Sequence, residues 1–352
     1  MPPASAQPPD AAQVKARARA LGFDLCGIAR AHRLEPQRLD AWLSRGWDAD
    51  LPYVRERRAE RLDPSLLLPG AASVVVVASS YAPAPGDPQP APGELVVARY
   101  ARGRDYHNVL LKPARKLAAW LRGTGAQVYC EVDTGAVLEK AWAQEAGLGW
   151  IGKNGCLIHE RLGSWLLLGA IITDLKLAPD APQPDRCGDC SLCIPACPTG
   201  AIPEPRYVDA RRCLAYHTIE HRAALPPEIA AKAGGRIFGC DACQEVCPWN
   251  RRAPPLTLVP LRPRTPSIAV DDALALTHEE ARRRYEGTPL MRAGRDGLVR
   301  TALAVAPRTE SLRTRARDLL HDPAPGVAEE AQRLTRAAPD PVGQAAAGHP
   351  KQ

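Results

Sequence analysis

The pattern of apolar residues in the first half of the chain predicts four β-strands. The longest run, AASVVVVASSYA at 71–82, is rich in β-branched residues and long enough to form a buried strand. Three shorter runs predict the other strands: FDLCGIA at 23–29, AQVYCEV at 126–132 and SWLLLGAIIT at 164–173. Between residues 83 and 93 the chain is rich in proline and glycine, which predicts a loop.

Helical spacing of apolar residues predicts helices around these strands, at 11–21 and at 136–147, the latter ending at Gly147. Leucines repeat at helical spacing over 108–122, and Pro113 is the expected start of that helix. After residue 250 the chain is rich in arginine, and RDGLVRTALAVA and LRTRARDLLHDPAPGVAEEAQRLTRA predict a helix pair. One such pair resembles a single unit of a helical repeat, so it should pack on the rest of the protein.

This order of elements predicts a mixed protein, α+β or α/β in class, with three parts. Strands that alternate with helices indicate a cofactor-binding α/β domain at 1–176. A proline-rich linker then leads into a cysteine-rich domain at 177–255, and a helical, HEAT-like C-terminal unit covers 256–338. Residues 339–352 are expected to form a disordered tail.

Composition adds a modest basic surplus to this picture. The 352 residues are 45% hydrophobic and 24% charged, with 46 Lys and Arg against 39 Asp and Glu. The net charge of +7 permits a polyanionic partner, although an arginine-rich surface alone would also account for it. The sequence contains neither an apolar signal segment nor a run of 18 apolar residues, so we expect a cytoplasmic protein that contacts no membrane.

Eleven cysteines in such a chain indicate metal or iron–sulfur chemistry rather than disulfides. The segment CGDCSLCIPACP at 187–198 has the C-x2-C-x2-C-x3-C-P spacing of ferredoxins. IFGCDACQEVCP at 237–248 repeats this spacing, with Ile237 in place of the first cysteine. The two runs predict a ferredoxin-like domain with two 4Fe–4S clusters. Two four-thiolate zinc sites are the alternative, but zinc sites need only paired CxxC motifs.

In two-cluster ferredoxins the fourth cysteine of a run binds the other cluster. The expected ligands of the first cluster are therefore Cys187, Cys190, Cys193 and Cys247. Those of the second cluster are Cys197, Cys213, Cys240 and Cys243. Cys213 replaces the thiol missing at Ile237, because it is the only other cysteine between the two runs. The three remaining cysteines are expected to be small buried hydrophobic residues: Cys26, Cys130 and Cys156.

Several motifs along the chain, one of them within the second cysteine run, resemble those of the epoxyqueuosine reductases, a family of tRNA-modifying enzymes. They are RLDPSLLLPGAASVVV (61–76), ARYARGRDYH (98–107), DTGAVLEKAWAQEAGLGWIGKNGCLIH (133–159), GCDACQEVCPWN (239–250) and EGTPLMRAGRDGLVR (286–300). The similarity runs in order over about residues 15 to 330 and is specific as a combination, although each motif alone is weak. The family is related to reductive dehalogenases, which share its cofactors.

The resemblance implies cobalamin and two 4Fe–4S clusters as cofactors. It also implies reduction of epoxyqueuosine to queuosine at the wobble position of a tRNA with a GUN anticodon, and it requires an external electron donor. We expect a monomer. By motif position Asp133 is the implied proton donor, whereas a turn or N-cap aspartate is the plain alternative. Burial beside the corrin should raise the pKa of Asp133 so that it carries a proton.

The resemblance further implies four cobalamin contacts: Arg61, Asp133, Leu157 and Leu168. The glycine-rich segment GLGWIGKNG at 147–155 is expected to form a corrin-binding loop, because a glycine backbone can approach a ligand closely. His107 is expected to be a pocket or structural residue rather than a cobalt ligand. The reason is that Leu110 replaces the glycine of a DxHxxG motif.

Several arginines are expected to contact tRNA phosphates, with Arg222 as a site candidate, although each alone would be a solvated surface charge. They are Arg55, Arg57, Arg58, Arg211, Arg212, Arg222, Arg251, Arg252, Arg292 and Arg295. Two other functions stay open: a reductive dehalogenase-like cobalamin reductase and a two-cluster electron carrier. A carrier does not need the long α/β part, and dehalogenases are typically exported with a twin-arginine signal that does not occur in this sequence.

Overall fold

A computed structural model describes residues 8–336 of the chain. The tail predicted at 339–352 lies outside these residues. Within them, nine strands are β1 Leu25–Arg30, β2 Ser73–Ser80, β3 Leu95–Val97, β4 Val128–Glu131, β5 Trp150–Ile151, β6 Leu157–Ile158, β7 Leu166–Thr173, β8 Arg236–Phe238 and β9 Ser267–Ile268.

Fifteen α-helices accompany these strands in the described part of the chain. They are α1 Ala11–Ala20, α2 Gln37–Ser44, α3 Pro52–Glu56, α4 Arg58–Leu62, α5 Tyr106–Arg122, α6 Glu139–Glu145, α7 Cys193–Ala196, α8 Leu214–Ile219, α9 Pro227–Ala230, α10 Ala242–Glu245, α11 Val270–Leu274, α12 His278–Tyr285, α13 Gly294–Val305, α14 Glu310–Asp318 and α15 Pro325–Arg336.

The four strands predicted from the apolar runs form one sheet, in the order β1-β2-β7-β4. Every neighbouring pair is antiparallel, and β2 pairs with β7 from Ser73 opposite Thr173 to Ser80 opposite Leu166. All eight residues of β2 are buried, as a central strand covered on both faces requires. The antiparallel pairing selects the α+β alternative within the predicted class.

Helices cover both faces of this sheet because successive residues of a strand point to opposite sides. Val75 and Val77 pack in a core with residues of α1 and α5. Val74 and Val76 pack in a second core, which includes Trp142 of α6. The sheet therefore brings the first turn of α5 and the segment that precedes α6 to the edge formed by β4.

Helix α5 begins at Tyr106, so the predicted start at Pro113 is wrong. Asp105 caps the helix by accepting a hydrogen bond from the backbone N–H of His107 at 3.0 Å. A proline inside a helix costs about 3 kcal/mol. Burial of the apolar face of this helix offsets that cost, and Leu110, three residues before Pro113, is fully buried in the core. The longer helix carries Tyr106 and His107 on its first turn.

The cysteine-rich segment has little regular structure of its own, since its helices α7 to α10 contain four to six residues each. Strand β8 from this segment pairs with β3, which in turn pairs with β9. This small sheet joins strands from all three predicted parts of the chain. The borders between those parts stay a prediction, and the parts are in close contact.

The C-terminal helices pack around α13. This helix contacts α15, α8 and β8, and α14 packs against α15. Arg300 of α13 is only 1% exposed, and its guanidinium donates a hydrogen bond to the carbonyl of His217 at 2.6 Å and another to that of His221. Burial lowers the pKa of Arg300 to about 10. The helical unit is thus fastened to the end of α8, the helix that follows Cys213. Its HEAT-like character stays a prediction.

Candidate functional site

A cavity of about 1280 Å³ opens at the edge of the main sheet. Its wall is formed by residues of α2 to α4, the first turn of α5, the turn after β4, and helix α6. Ile151, Gly155 and residues 206–208 also line it, as do Thr288, Pro289, Met291 and Arg292. Pockets for drug-sized ligands measure roughly 300–1,000 Å³. The cavity therefore has room for a ligand larger than an ordinary small molecule.

Four polar side chains form a hydrogen-bonded set in this cavity. His107 lies between two carboxylates: its Nδ1 is 2.7 Å from Asp105 Oδ1, and its Nε2 is 3.1 Å from Asp133 Oδ2. The hydroxyl of Tyr106 also donates a hydrogen bond to Asp133 Oδ2. The ring of Tyr106 stacks on that of His107, with 4.1 Å between centroids. Asp133 thus receives two donors on one oxygen, and its side chain is 56% exposed to the open cavity.

The backbone at Asp133 is held in an unusual conformation. Its φ of 62° lies in the left-handed region, which aspartate tolerates better than most residues. Its N–H donates to Glu139 Oε1 at 3.1 Å, which fixes the turn between β4 and α6. Gly135 belongs to the same turn, because a Cβ there would lie 1.0 Å from Glu131 Oε2. This turn also delays α6, which begins at Glu139 rather than at the predicted residue 136.

The structure gives the pKa of Asp133 the opposite direction from the rise expected beside a corrin. Burial does raise its pKa, but the hydrogen bonds from His107 and Tyr106 outweigh burial and bring the pKa below the usual range. Burial lowers the pKa of His107, because it disfavours the charged imidazolium. Its hydrogen bonds to Asp105 and Asp133 nevertheless raise its pKa to about 9. At neutral pH the set therefore holds its mobile proton on the imidazolium of His107, beside an ionised Asp133.

Glu139 is a further acid in the cavity wall that the sequence did not single out. Burial, followed by the charge of Asp133, raises its pKa to about 8. Glu139 is consequently protonated at neutral pH, while Asp133 is not. In the sequence it reads as an ordinary residue of an amphipathic helix. Only the turn at Asp133 brings its carboxyl group into the wall.

Arg61, a predicted cobalamin contact, lines the same cavity as Asp133. Its Nε is buried and has no hydrogen-bond partner among residues 8–336, and its guanidinium lies 5.8 Å from the ring of Tyr53. An unpaired buried donor in the wall of a large cavity fits a ligand rich in oxygen atoms. From the predicted corrin-binding loop, Ile151 and Gly155 also line the cavity.

The other two predicted cobalamin contacts are not among the residues that line the cavity. Leu157 is 3% exposed and belongs to the core under α6, and the half-buried Leu168 packs against that core. Their assignment stays a prediction that the cavity itself does not support. A contact made by backbone atoms has no signal in side-chain identity, so neither residue could be selected firmly from the sequence.

Several basic side chains lie in or next to the cavity wall. Arg57 and Arg292 line it, and Arg292 pairs with Glu220 at 2.9 Å. Arg222 is exposed and donates to the backbone carbonyl of Arg292 at 3.1 Å, so the predicted tRNA contact lies next to the cavity wall. Arg295 differs, because its side chain is 10% exposed and pairs with Asp322 at 2.6 Å. It is therefore unsuited to bind a phosphate.

The predicted cluster ligands fall into two groups of thiols that influence one another. Burial raises the pKa of Cys193 to about 11, and three neighbouring thiols add to this rise: Cys187, Cys190 and Cys247. Burial likewise raises the pKa of Cys243 far above its usual range, and four thiols add to it: Cys156, Cys197, Cys213 and Cys240. This division matches the predicted ligand sets. The assignment of each thiol to a cluster stays a prediction.

Cys156 is the unexpected member of the second group. The sequence suggested a small buried hydrophobic residue, like Cys26 and Cys130, which lie in β1 and β4 beside a core of the main sheet. Cys156 instead lies among the second-group thiols and directly follows Gly155, which lines the cavity. The second group is therefore close to the cavity wall. Backbone N–H of Ala201 donates to Cys197 Sγ at 3.2 Å, as is common around cluster thiolates.

The first group adjoins an indole N–H that lacks a partner. Trp150 is 2% exposed, and its Nε1 has no hydrogen-bond acceptor in the described structure. The residue packs with Ile158, Cys247, Cys187 and Trp249. Among these side chains only the two thiols offer an acceptor. A cluster bound to them would add sulfur acceptors at this place, so the site fits an iron–sulfur cluster.

Comparison with known proteins identifies both the cysteine-rich segment and the part of the chain that contributes Arg61 and Asp133 to the cavity. Residues 186–250 match the family described as "4Fe-4S double cluster binding domain", which decides for two clusters over zinc. Residues 61–134 match the family described as "Epoxyqueuosine reductase QueG, DUF1730". An epoxyqueuosine reductase of Gloeobacter violaceus is 47% identical over 306 residues, which cover 84% of this chain and 95% of that protein. The chain belongs to the epoxyqueuosine reductase family.

Further members support the same assignment. The epoxyqueuosine reductase of Pseudomonas aeruginosa is 38% identical to this chain, and the alignment covers 86% of this chain and 88% of that protein. A crystal structure of an epoxyqueuosine reductase with an epoxyqueuosine-modified tRNA-Tyr stem loop superposes with a TM-score of 0.84 at 28% identity, covering 92% of this chain and 88% of that one. A Bacillus subtilis epoxyqueuosine reductase has its catalytic aspartate loop swung out of the active site, with a TM-score of 0.83 at 29% identity and the same coverage.

Membership of the epoxyqueuosine reductase family confirms the resemblance, the mixed fold with a double-cluster domain, and the oxidoreductase class. It does not by itself assign residues to roles in this chain. Within residues 8–336 no helix is both long enough and apolar enough to span a membrane.

Proposed function

We propose that the protein reduces epoxyqueuosine to queuosine at the wobble position of a tRNA with a GUN anticodon. Electrons would enter through the two 4Fe–4S clusters and reach cobalamin in the large cavity. The observation that carries this proposal is the placement of the cavity: one wall holds the hydrogen-bonded set around Asp133, and the loop at 155–156 leads to the second thiol group. Proton source and electron path thus meet at one place. A tRNA substrate implies a cytoplasmic enzyme.

The reaction converts an epoxide into an alkene and water, which takes two electrons and two protons. Negative charge develops on the oxygen as it leaves carbon, so an acid close to that oxygen lowers the barrier. We assign this role to Asp133. Because its carboxylate is ionised in the open cavity, the first proton reaches it from the Nε2 of His107, 3.1 Å away, and the second proton comes from solvent. Asp105 stabilises the cationic ring until the transfer.

Cobalamin would be held by Arg61 and Asp133, together with the backbone of the glycine-rich loop at Ile151 and Gly155. Leu157 and Leu168 remain predicted contacts. When bound, the cofactor would supply a metal centre that can take up electrons singly and cleave a carbon–oxygen bond. The protein itself excludes bulk water with apolar wall residues, orients the substrate, and holds the proton at His107.

A tRNA substrate fits the basic side chains that lie in or next to the cavity wall. The related enzyme that is seen with a modified tRNA stem loop makes the same class of partner plausible here. Arg57, Arg222 and Arg292 would bind the anticodon backbone, and Tyr53, which is 43% exposed, lines the same cavity. An unstacked base can pack on such an aromatic ring while arginines bind the phosphates.

The test is a single-turnover assay with anaerobically purified protein that has been supplied with iron, sulfide and cobalamin. Mass spectrometry of digested nucleosides should show epoxyqueuosine in tRNA-Tyr converted to queuosine. Iron, sulfide and cobalt contents, with optical spectra, report cofactor loading. Halogenated phenols as substrates test the dehalogenase alternative, and a loaded protein that reduces neither substrate would leave only an electron carrier.

Binding of the tRNA should depend steeply on salt, because several arginines would displace counterions from phosphates. Affinity should fall at least tenfold between 50 and 200 mM salt, roughly what even a few phosphate contacts produce. Equal affinity for the free nucleoside, or no change with salt, would contradict the role of the arginines.

A further inference from the structure

We propose that the surface around the first thiol group is the docking site of a small acidic protein that carries one electron at a time. We call this region the outer surface and define it by three segments: residues 159–163, 185–192 and 248–252. The proposal rests on the two-cluster domain and not on the identity of the tRNA substrate.

The first thiol group lies nearer to solvent than the second. Cys190 is exposed, and so is every residue from 188 to 192, with Leu192 exposed to 47%. Residues beside the second group are covered instead: Leu214 is 2% exposed and Asp241 is 6% exposed. Since the second group lies next to the cavity, an electron from outside the molecule would enter at the first group and leave from the second.

The three segments of the outer surface are joined by direct contacts. Arg186 pairs with Glu160 at 2.9 Å, which ties the segment before Cys187 to the hairpin at 159–163. The backbone N–H of Ser164 donates to Asn250 Oδ1 at 2.6 Å, which ties that hairpin to the turn after Cys247. Lys153 adds a hydrogen bond to the carbonyl of Gly188 at 2.7 Å. Charges on these segments consequently share one face.

That face carries a surplus of positive charge. Glu160, Asp185 and Asp189 are its three acidic residues. The six basic residues on or bonded to the segments are Lys153, Arg161, Arg186, Arg206, Arg251 and Arg252. Glu160 and Asp185 are each paired with one of these arginines. A net positive face attracts an acidic partner and speeds its approach, by as much as 10–10³-fold in favourable cases.

An exposed apolar side chain on this charged face favours a protein partner. Leu192 is exposed between Cys190 and Cys193 and is not needed to cover a core. An exposed apolar residue ringed by charges is the usual anatomy of a transient interface. A 4Fe–4S cluster accepts a single electron, so the partner is oxidised by one electron at each docking event. Two events deliver the electron pair that one epoxide consumes.

The experiment measures cluster reduction directly, in anaerobic stopped-flow spectra of the protein loaded with both clusters. The reductant is a plant-type ferredoxin, which is acidic and carries one electron; dithionite serves as a small reductant that needs no docking surface. The double variant Arg251→Glu/Arg252→Glu should slow reduction by ferredoxin about tenfold or more, and raised salt should slow the unaltered protein in the same way. Reduction by dithionite should not change.

A matched variant controls for the charge change. Arg282→Glu/Arg283→Glu reverses two exposed arginines on α12, in the C-terminal unit, and should leave both rates unchanged. Equal ferredoxin rates for the two double variants would overturn the proposal. If Arg251→Glu/Arg252→Glu instead weakens tRNA binding and leaves ferredoxin reduction intact, the outer surface binds tRNA. No tRNA turnover is needed for these measurements, so they stay decisive even if the proposed reaction fails.

Discussion

In the cavity, reactive side chains are held by regular elements, whereas in the cysteine-rich segment they lie on short helices and loops. His107 belongs to the first turn of α5, a helix of 17 residues packed against the main sheet. Asp133 follows a strand of that sheet. Cys193 and Cys243 instead belong to helices of four residues each. The cavity is therefore arranged before any ligand enters, and the thiols are brought together largely by loops.

The two regions obtain their stability from different sources. Hydrogen bonds among Asp105, His107 and Asp133 are satisfied by the chain itself, so removing one of them should change chemistry more than structure. A segment without a core of its own gains much of its stability from bound metal. Substitutions in the cavity should therefore alter turnover at full cofactor content, and substitutions among the thiols should alter cofactor content first.

The largest effect is expected for Asp133→Asn. The substitution keeps the shape of the side chain, but an amide cannot take up the proton of His107 and pass it to the leaving oxygen. Turnover should fall by roughly 10²–10⁴, the usual contribution of a positioned acid. Iron and cobalamin contents should equal those of the unaltered protein. Loss of cobalamin would mean that the carboxylate of Asp133 serves mainly to hold the cofactor, and near-normal turnover would mean that water or another side chain supplies the proton.

The pH profile should identify the group that supplies Asp133. The pKa of His107 is raised to about 9, so its charged form predominates below that pH and disappears above it. Single-turnover rates at saturating tRNA should stay level from pH 7 to nearly 9 and then fall about tenfold per pH unit. His107→Asn should abolish this decline as well as lower the rate.

Glu139 provides the matched control for that profile, because its pKa is raised to about 8. In Glu139→Gln the decline should remain near pH 9. A decline near pH 8 that vanishes in Glu139→Gln would assign the proton supply to Glu139 and contradict the role of His107.

The same contrast explains what could be predicted from the sequence. Apolar runs and cysteine spacing are local patterns, and they predicted the main sheet and the double-cluster domain. The hydrogen-bonded set depends on contacts between residues 26 and 27 positions apart, those of His107 and Tyr106 with Asp133, which no local pattern encodes. Pro113 misled the prediction of α5 because buried leucines offset its local cost. The neighbours of Cys156 likewise result from the tertiary fold.

Among the thiols, Cys213→Ala should remove about half of the iron, because the second cluster would lose one of its four ligands. Cys156→Ala is the sharpest control, since Cys156 lies among the same thiols but is not an expected ligand. It should keep the full iron content, as should Cys26→Ala. Iron and sulfide analysis after anaerobic purification measures all three. Full iron in Cys213→Ala together with half in Cys156→Ala would exchange the two assignments.

The smallest effect is expected at Trp150, where the cysteine-rich segment meets a well-packed part of the fold. Its indole N–H is buried without a partner and packs beside Cys187 and Cys247. A hydrogen bond to a cluster sulfur favours the reduced state, because the added electron makes the sulfur a better acceptor. Trp150→Phe keeps an aromatic ring but removes the N–H, so the first cluster should become harder to reduce by up to about tenfold, or 59 mV for one electron.

Redox titration followed by electron paramagnetic resonance should show this shift in one cluster only, at unchanged iron content. Equal shifts in both clusters would point to a general loosening of the segment, and an unchanged potential would mean that the N–H does not reach the cluster.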